Sequence, residues 1–349
     1  MRNFFKIGAA ALLEQARVEI GAPGMAAAVW RDGSIVAELA AGERALGSAA
    51  EVLPSDPFHI GSITKPLTAT LAARLVERGL IAWNDTIEER LGDAIDVGAA
   101  YRGVTLAQLL SHRGGLSASP HPHEAARLVR VRGPAAQHLL VSELMMSRPP
   151  ATRPGRDYLY SNFSYVVAAA MLEQASGRDY ETLLREEVLQ PLGLDSAGFG
   201  APGSGNALDA PRGHFAPGQA LNGPIPPYSP LADNSLFLRP AGGVHMSMAD
   251  LARFGGDQLL GAQGRGVLLR RDSYRFLRAA RGGGYATGWG VRPDGELHHD
   301  GTNRRWFALL RVIPAERLVV AIAANIAGDE EATRRAIWQL SEALRRELH

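Results

Sequence analysis

Ser62 and Lys65, in the stretch FHIGSITKPLTATLAARLVERGL (residues 58–80), are the first pair in this sequence whose types and spacing can do chemistry together. They stand at the head of an apolar run with helical period. In the first turn of a helix, Lys65 lies one turn beyond Ser62 on the same face, and its amine reaches the hydroxyl. A serine hydroxyl is a poor nucleophile at neutral pH, and a lysine whose pKa is lowered by burial supplies the missing base. A helix start adds free backbone N–H groups, and that of Ser62 can face a developing oxyanion. The spacing alone fits an N-cap serine beside a solvated lysine as well.

Two further sets follow. In RPGRDYLYSNFSY, Tyr160 and Asn162 stand in a loop just before a helix. Tyr160 can carry a proton, its pKa lowered by Lys65, while Asn162 orients the lysine and the carbonyl side of a substrate. A tyrosine that only satisfies its hydroxyl, beside an asparagine cap, fits the same residues. In LHHDGTNRRWFALL, His299-Asp300-Gly301 opens a strand. Gly301 lets a substrate lie against the strand edge, and the Thr302 N–H can complete an oxyanion hole with that of Ser62.

Other constellations carry less. His298, His299 and Asp300 are consecutive in a strand and point to opposite faces, which argues against a zinc site. His121, His123 and Glu124 read as a solvent-facing loop, and His112 and His245 as structural histidines bonded to backbone. The chain has no Gly-x-Ser-x-Gly elbow, no Gly-rich phosphate loop and no dinucleotide fingerprint.

The elements that must hold these residues are legible in outline. Ala9, Leu13, Ala16 and Ile20 form one stripe of an amphipathic first helix. GMAAAVWRDGSIVAELAAG then reads as two strands joined at Asp32-Gly33, a two-residue hairpin signal. From Ser62 to about residue 190 the pattern is helical, with Leu67, Leu71 and Leu75 at four-residue spacing, a helix beginning in TLAQLL, and NFSYVVAAAMLEQASG ending at Gly177. Residues 200–240, rich in Pro and Gly, predict an irregular crossing. WFALLRVI and RLVVAIAAN predict strands turning at Pro314-Ala315-Glu316, and a last helix puts Ile337, Leu340, Leu344 and Leu348 on one face. The expected class is α/β (α+β): an antiparallel sheet built from both termini and flanked by helices, with an all-helical insert. The expected domains are 1–61 with 240–349, and 62–239, with the site at their junction.

Composition sets the outer limits. With 349 residues, 46% hydrophobic, the chain can bury a large core. Its 37 Lys and Arg against 36 Asp and Glu are spread along the chain, which selects neither nucleic acid nor a membrane surface. Without cysteine there are no disulfides, thiolate metal sites or cysteine nucleophile. The start MRNFFKIGAAALLEQARVEIGAPG lacks the uninterrupted apolar region and cleavage site of a secretory signal, so a cytoplasmic protein is expected, and no stretch approaches a membrane span. Nothing in the sequence sets an oligomeric state.

Taken in order, Ser62-x-x-Lys65, Tyr160-x-Asn162 and His299-x-Gly301 resemble the three motifs of the serine β-lactamase and penicillin-binding-protein superfamily, in its class C-like branch with the family VIII carboxylesterases. FHIGSITKPLTA, TLAQLLSHRGGL, the run from PGRDYLYSNFSY to LLREEVLQPLGL, and RPAGGVHMSMADLARF are similar to family segments in family order, covering about residues 20–325. The resemblance implies the β-lactamase/transpeptidase fold. It also implies that Ser62 is acylated, that Lys65 and Tyr160 pass its proton to the leaving group and later activate water, and that no metal or cofactor takes part. Where the commonest third motif of true β-lactamases begins with lysine, this chain has His299, as in many esterases and D-amino-acid peptidases of the superfamily. Many members carry glycine where Arg305 stands, so Arg304 and Arg305 read either as a cleft rim that attracts an acidic group or as two solvated arginines. The resemblance therefore implies a hydrolase of a small-molecule ester, lactone or amide. A D-amino-acid peptidase or D,D-carboxypeptidase is the runner-up, weak β-lactamase activity can accompany either, and a non-catalytic penicillin-binding-like sensor is the reading from another class.

Overall fold

Two apolar strands near the start of the chain pair with apolar strands near its end, and that pairing organises the molecule. The computed structural model describes residues 2–117, 131–215 and 223–348, with backbone alone for residues 2–7. Strands β1 (Gly24–Arg31), β2 (Ser34–Gly42), β3 (Gly290–Val291), β4 (Leu297–Thr302), β5 (Phe307–Ile313) and β6 (Leu318–Ala324) form one sheet in the order β2-β1-β6-β5-β4-β3. Every neighbouring pair is antiparallel, as the sequence predicts. Asp32 and Gly33, at φ 52° and 105°, close the β1–β2 hairpin in the left-handed region that such two-residue turns require.

Both faces of the sheet are covered, which is why β6 reads as an unbroken apolar run and β5 as one broken only by Arg311. Leu318, Val320 and Ile322 face the terminal helices α1 (Arg2–Glu19) and α5 (Glu330–Glu347), meeting Ala9, Leu13, Ile337, Leu340 and Leu344. Val319, Ala321 and Ala323 face the larger core, under helix α4 (Met248–Gly261). There Gly255 and Gly256 let helix and sheet touch: a Cβ would stand 2.6 Å from Val319 at the first and 2.6 Å from the Trp30 ring at the second.

The middle of the chain is helical, as expected. Its longest elements are α2 (Thr64–Glu77) and α3 (Asn162–Ser176), with a further helix over Pro134–Met146. The short helix Leu106–Leu110 starts in a capping box made by Thr105 and Gln108. Helix α3 is buried along most of its length and ends at Gly177, left-handed at φ 69°. Residues 200–238 hold only the two-stranded pair Gly213–Phe215 and Gly223–Ile225 and one 3-10 turn, Leu236–Leu238, among the described residues. Three boundaries differ from expectation. Ser62 lies in a 3-10 turn, Gly61–Ile63, before α2 rather than inside its first turn. β4 begins two residues before His299, so the motif lies within the strand instead of opening it, and β5 begins at Phe307 rather than Trp306. Among the described residues no helix is long and apolar enough to cross a membrane.

Candidate active site

The hydroxyl of Ser62 is presented by a backbone folded against β4. The two-residue strand Phe58–His59 pairs with Val244–Met246, after which Gly61, at φ 51°, turns the chain into the 3-10 turn and α2. A Cβ at Gly61 would stand 2.5 Å from the Thr302 nitrogen. One at Gly301 would stand 2.1 Å from the Ile60 carbonyl oxygen and 2.6 Å from the Ser62 nitrogen. Only glycine at both positions lets the backbones of Ser62 and Thr302 approach this closely.

Lys65 is fully buried, so the solvated-lysine reading is wrong for this chain. Its Nζ lies 2.7 Å from Asn162 Oδ1, 2.7 Å from the Ala241 carbonyl oxygen and 3.0 Å from Ser62 Oγ. The first two are acceptors only. A neutral amine donates its two N–H bonds to them and keeps its lone pair for the hydroxyl hydrogen of Ser62. No carboxylate reaches Nζ among the described residues, and burial lowers its pKa well below the ordinary lysine value. Asn162 is thus a lysine ligand at the first residue of α3, and the capping position falls to Ser161.

Tyr160 stands beside the pair, its ring centroid 4.8 Å from Lys65 Nζ, with the Ser62 side chain close enough to act on its hydroxyl. Tyr160 is partly exposed as a whole, yet burial of its hydroxyl raises the phenol's pKa, against a smaller lowering by Ser62. The expectation that Lys65 lowers it is therefore corrected. An amine with a phenol and an ammonium with a phenolate hold the same number of protons, and a site away from water favours the uncharged pair. The arrangement sets a serine hydroxyl beside an amine able to take its proton, with a phenol able to donate one next to that amine.

Alternation along β4 sorts the third motif. His298 and Asp300 face α5, where His298 packs edge-on against Trp338 and Asp300 pairs with Arg334. His299 and Gly301 face the site. His299 Nδ1 lies 2.6 Å from the Asp300 carbonyl oxygen, which puts its hydrogen there and leaves Nε2 to accept from the Tyr285 hydroxyl at 3.2 Å. Burial lowers the pKa of His299 to about 4, so the imidazole is neutral. Arg304 is exposed at φ 69° in the β4–β5 turn. Arg305 lies over the Phe215 ring, 4.6 Å from its centroid, so it is not simply solvated. His245 Nδ1 meets the Gly200 carbonyl oxygen at 2.9 Å, a backbone bond as expected. His121, His123 and Glu124 lie outside the described residues.

Sequence reasoning missed three contributors. The Ala241 carbonyl is backbone, so no residue type marks it. Tyr165, whose hydroxyl donates to the Leu110 carbonyl at 2.6 Å, and Tyr285 look like core tyrosines in sequence. The remaining signal was the aromatic clustering of YLYSNFSY. Beside the site lies a cavity of about 490 Å³ lined by Phe199, Pro227, Asn234, Leu236, Phe237 and Arg239, among others. Of its lining residues, Asn234 donates through Nδ2 to the Gly242 carbonyl and Phe237 stacks on Phe163, the residue after Asn162.

Comparison with known proteins agrees with this architecture. The family model described as Beta-lactamase matches residues 9–344. Penicillin-binding protein 4 of Amycolatopsis lactamdurans is 27% identical over 330 residues, covering 88% of this chain and 82% of that protein. The crystal structure of SurE with D-Leu superposes with a TM-score of 0.75 at 27% identity, covering 98% of this chain and 76% of that one. EstCE1, a hydrolase with promiscuous acyltransferase activity, is alike in fold at a TM-score of 0.78 and 18% identity, covering 98% and 99%.

Proposed function

Because the chain belongs to the β-lactamase family, we propose that it is a serine hydrolase that forms an acyl-enzyme on Ser62 and acts on small-molecule esters, lactones or amides. The observation that carries this reading is the buried, uncompensated Lys65 amine 3.0 Å from the Ser62 hydroxyl. Ser62 Oγ attacks the substrate carbonyl carbon while its hydrogen passes to Lys65 Nζ. The carbonyl oxygen becomes an oxyanion facing the N–H groups of Ser62 and Thr302, a role each such donor fills at about 10²-fold or more in rate. Tyr160 gives its hydrogen to the leaving oxygen or nitrogen as that bond breaks, and the Lys65 ammonium returns one to the phenolate. Water then attacks the acyl-enzyme by the same relay in reverse order, Ser62 leaves with its hydrogen restored, and the product is an acid. Asn162 holds the lysine, and His299, being neutral, lends the cleft no cation of the kind a third-motif lysine brings.

The test is covalent. Incubation with p-nitrophenyl acetate or butyrate, followed by rapid acid quench and mass spectrometry, should place the acyl mass on Ser62. Release of p-nitrophenol with Ser62 unmodified in every quench, or undiminished in Ser62→Ala, would exclude this nucleophile. A second reading, cleavage of an amide beside a D-residue, draws on the likeness to SurE, whose crystal holds D-Leu. Faster turnover of D- than L-amino-acid p-nitroanilides would favour it.

A further inference from the structure

His112 has no part in the relay, yet it holds the chain on both sides of Tyr160. Its backbone oxygen accepts from the Leu159 N–H at 2.9 Å, and its side-chain Nδ1 accepts from the Ser161 N–H at 3.1 Å. Between these two bonds stands Tyr160, whose ring packs on the imidazole at 4.2 Å between centroids. Tyr158, Tyr165 and Tyr285 enclose the rest of the ring at 4.8–6.0 Å. His112 is fully buried, so it does not line the cleft.

The backbone around it marks the side chain as the reason for its presence. His112 ends the helix Leu106–Leu110 at φ 57°, with its own N–H bonded to the Leu109 carbonyl and the Arg113 N–H to the Gln108 carbonyl. This is the helix stop in which glycine is usual, and α3 uses Gly177 in the same conformation. A side chain there costs more than glycine would, even one such as His that enters this region more readily than most. A second cost lies on the ring. With Nδ1 accepting, Nε2 carries the hydrogen and finds no acceptor among the described residues. The chain bears both costs at the one residue that bonds Leu159 and Ser161 together.

We propose that His112 is a positioning residue that fixes Tyr160, and Asn162 beyond it, against Ser62 and Lys65 through its Nδ1 bond to Ser161. The inference rests on the serine-hydrolase reading. Its test uses two variants that both tolerate the left-handed backbone. His112→Asn keeps an acceptor near the place of Nδ1, and His112→Gly has none. With p-nitrophenyl butyrate, His112→Gly should lose kcat by about 10²-fold with KM within about 3-fold, as a misplacement on the order of 1 Å does, whereas His112→Asn should keep kcat within about 5-fold. Thermal melting of both proteins shows that each is folded. If the loss runs through the tyrosine, adding Tyr160→Phe to His112→Gly should cost little beyond Tyr160→Phe alone. Equal loss in the Asn and Gly variants, normal turnover in His112→Gly, or full additivity with Tyr160→Phe would overturn the clamp. Ser62→Ala in the same series separates the two claims. Activity surviving there removes the hydrolase reading, while an inert Ser62→Ala beside a normal His112→Gly removes only the clamp.

Discussion

Two of the basic side chains buried among the described residues, Arg311 and Lys65, have surroundings that differ in one respect. Arg311, on β5 facing α5, donates to both oxygens of Glu296 at 2.7 and 2.8 Å, to Ser341 at 2.8 Å, and pairs with Glu342 at 2.7 Å. Burial alone would lower its pKa, but the two carboxylates outweigh that and leave it raised. Lys65, at the junction of the helical region and β4, has two amide oxygens and a hydroxyl and, among the described residues, no counter-charge. Its pKa falls. A buried base with a carboxylate is a strut that never gives up its proton. Without one it is a reagent held in its reactive form.

Removing the reagent should cost activity and spare the fold. Lys65→Met is expected to lower kcat/KM for p-nitrophenyl butyrate by about 10³-fold or more. Its unfolding free energy should stay within about 1 kcal/mol of the parent, since a buried amine contributes little net stability. Near-normal turnover would remove Lys65 from the relay.

Converting the reagent into a strut should do nearly as much. Asn162→Asp sets a carboxylate where Oδ1 now accepts from Nζ at 2.7 Å. The lysine should then stay protonated, with activity at pH 7 falling about 10²-fold. The pH profile reports the cause. In the parent, kcat/KM rises with pH through the depressed Lys65 pKa, because the neutral amine is the base, and in Asn162→Asp that limb should move to higher pH. The same shift enters folding. Between the low folded pKa and the ordinary value in the unfolded chain, the unfolded state binds more protons, so the Lys65 contribution to stability rises with pH across that window and is unfavourable below it. A pH limb unmoved by Asn162→Asp would assign it to another group.

Breaking the strut should give the opposite pattern. Glu296→Ala leaves Arg311 buried with Glu342 alone and should cost about 3–5 kcal/mol of stability. Activity per folded molecule at low temperature should be unchanged, because Glu296 and Arg311 lie on the α5 side of the sheet, away from Ser62. The smallest effect is expected at the exposed turn. Arg304→Ala should raise KM for a carboxylate-bearing ester about 2–3-fold relative to a neutral one, the scale of an exposed charge. No difference between the two esters would make Arg304 a solvated residue only.

What could be read in advance follows from how local each feature is. The Asp32-Gly33 hairpin, the Leu67-Leu71-Leu75 stripe and the Gly177 stop depend on neighbouring residues, so their patterns survive in one dimension. The motif residues were legible as types at set spacings, and the structure brings Ser62, Lys65, Tyr160, Asn162, His299 and Gly301 to one place. The direction of the Tyr160 shift was not legible. It depends on packing from segments more than a hundred residues apart, which decides whether Lys65 carries a charge at all.

Residue types, helical and strand periods and turn chemistry were set by the sequence itself, because each is an interaction among residues a few positions apart. Tertiary structure alone decided that Lys65 is dry and without a carboxylate, that the Ala241 carbonyl meets its amine, and that His112 bonds the backbone beside Tyr160. Protonation in a protein interior is set by the field and solvent access at a point in space, and no linear spacing carries that information.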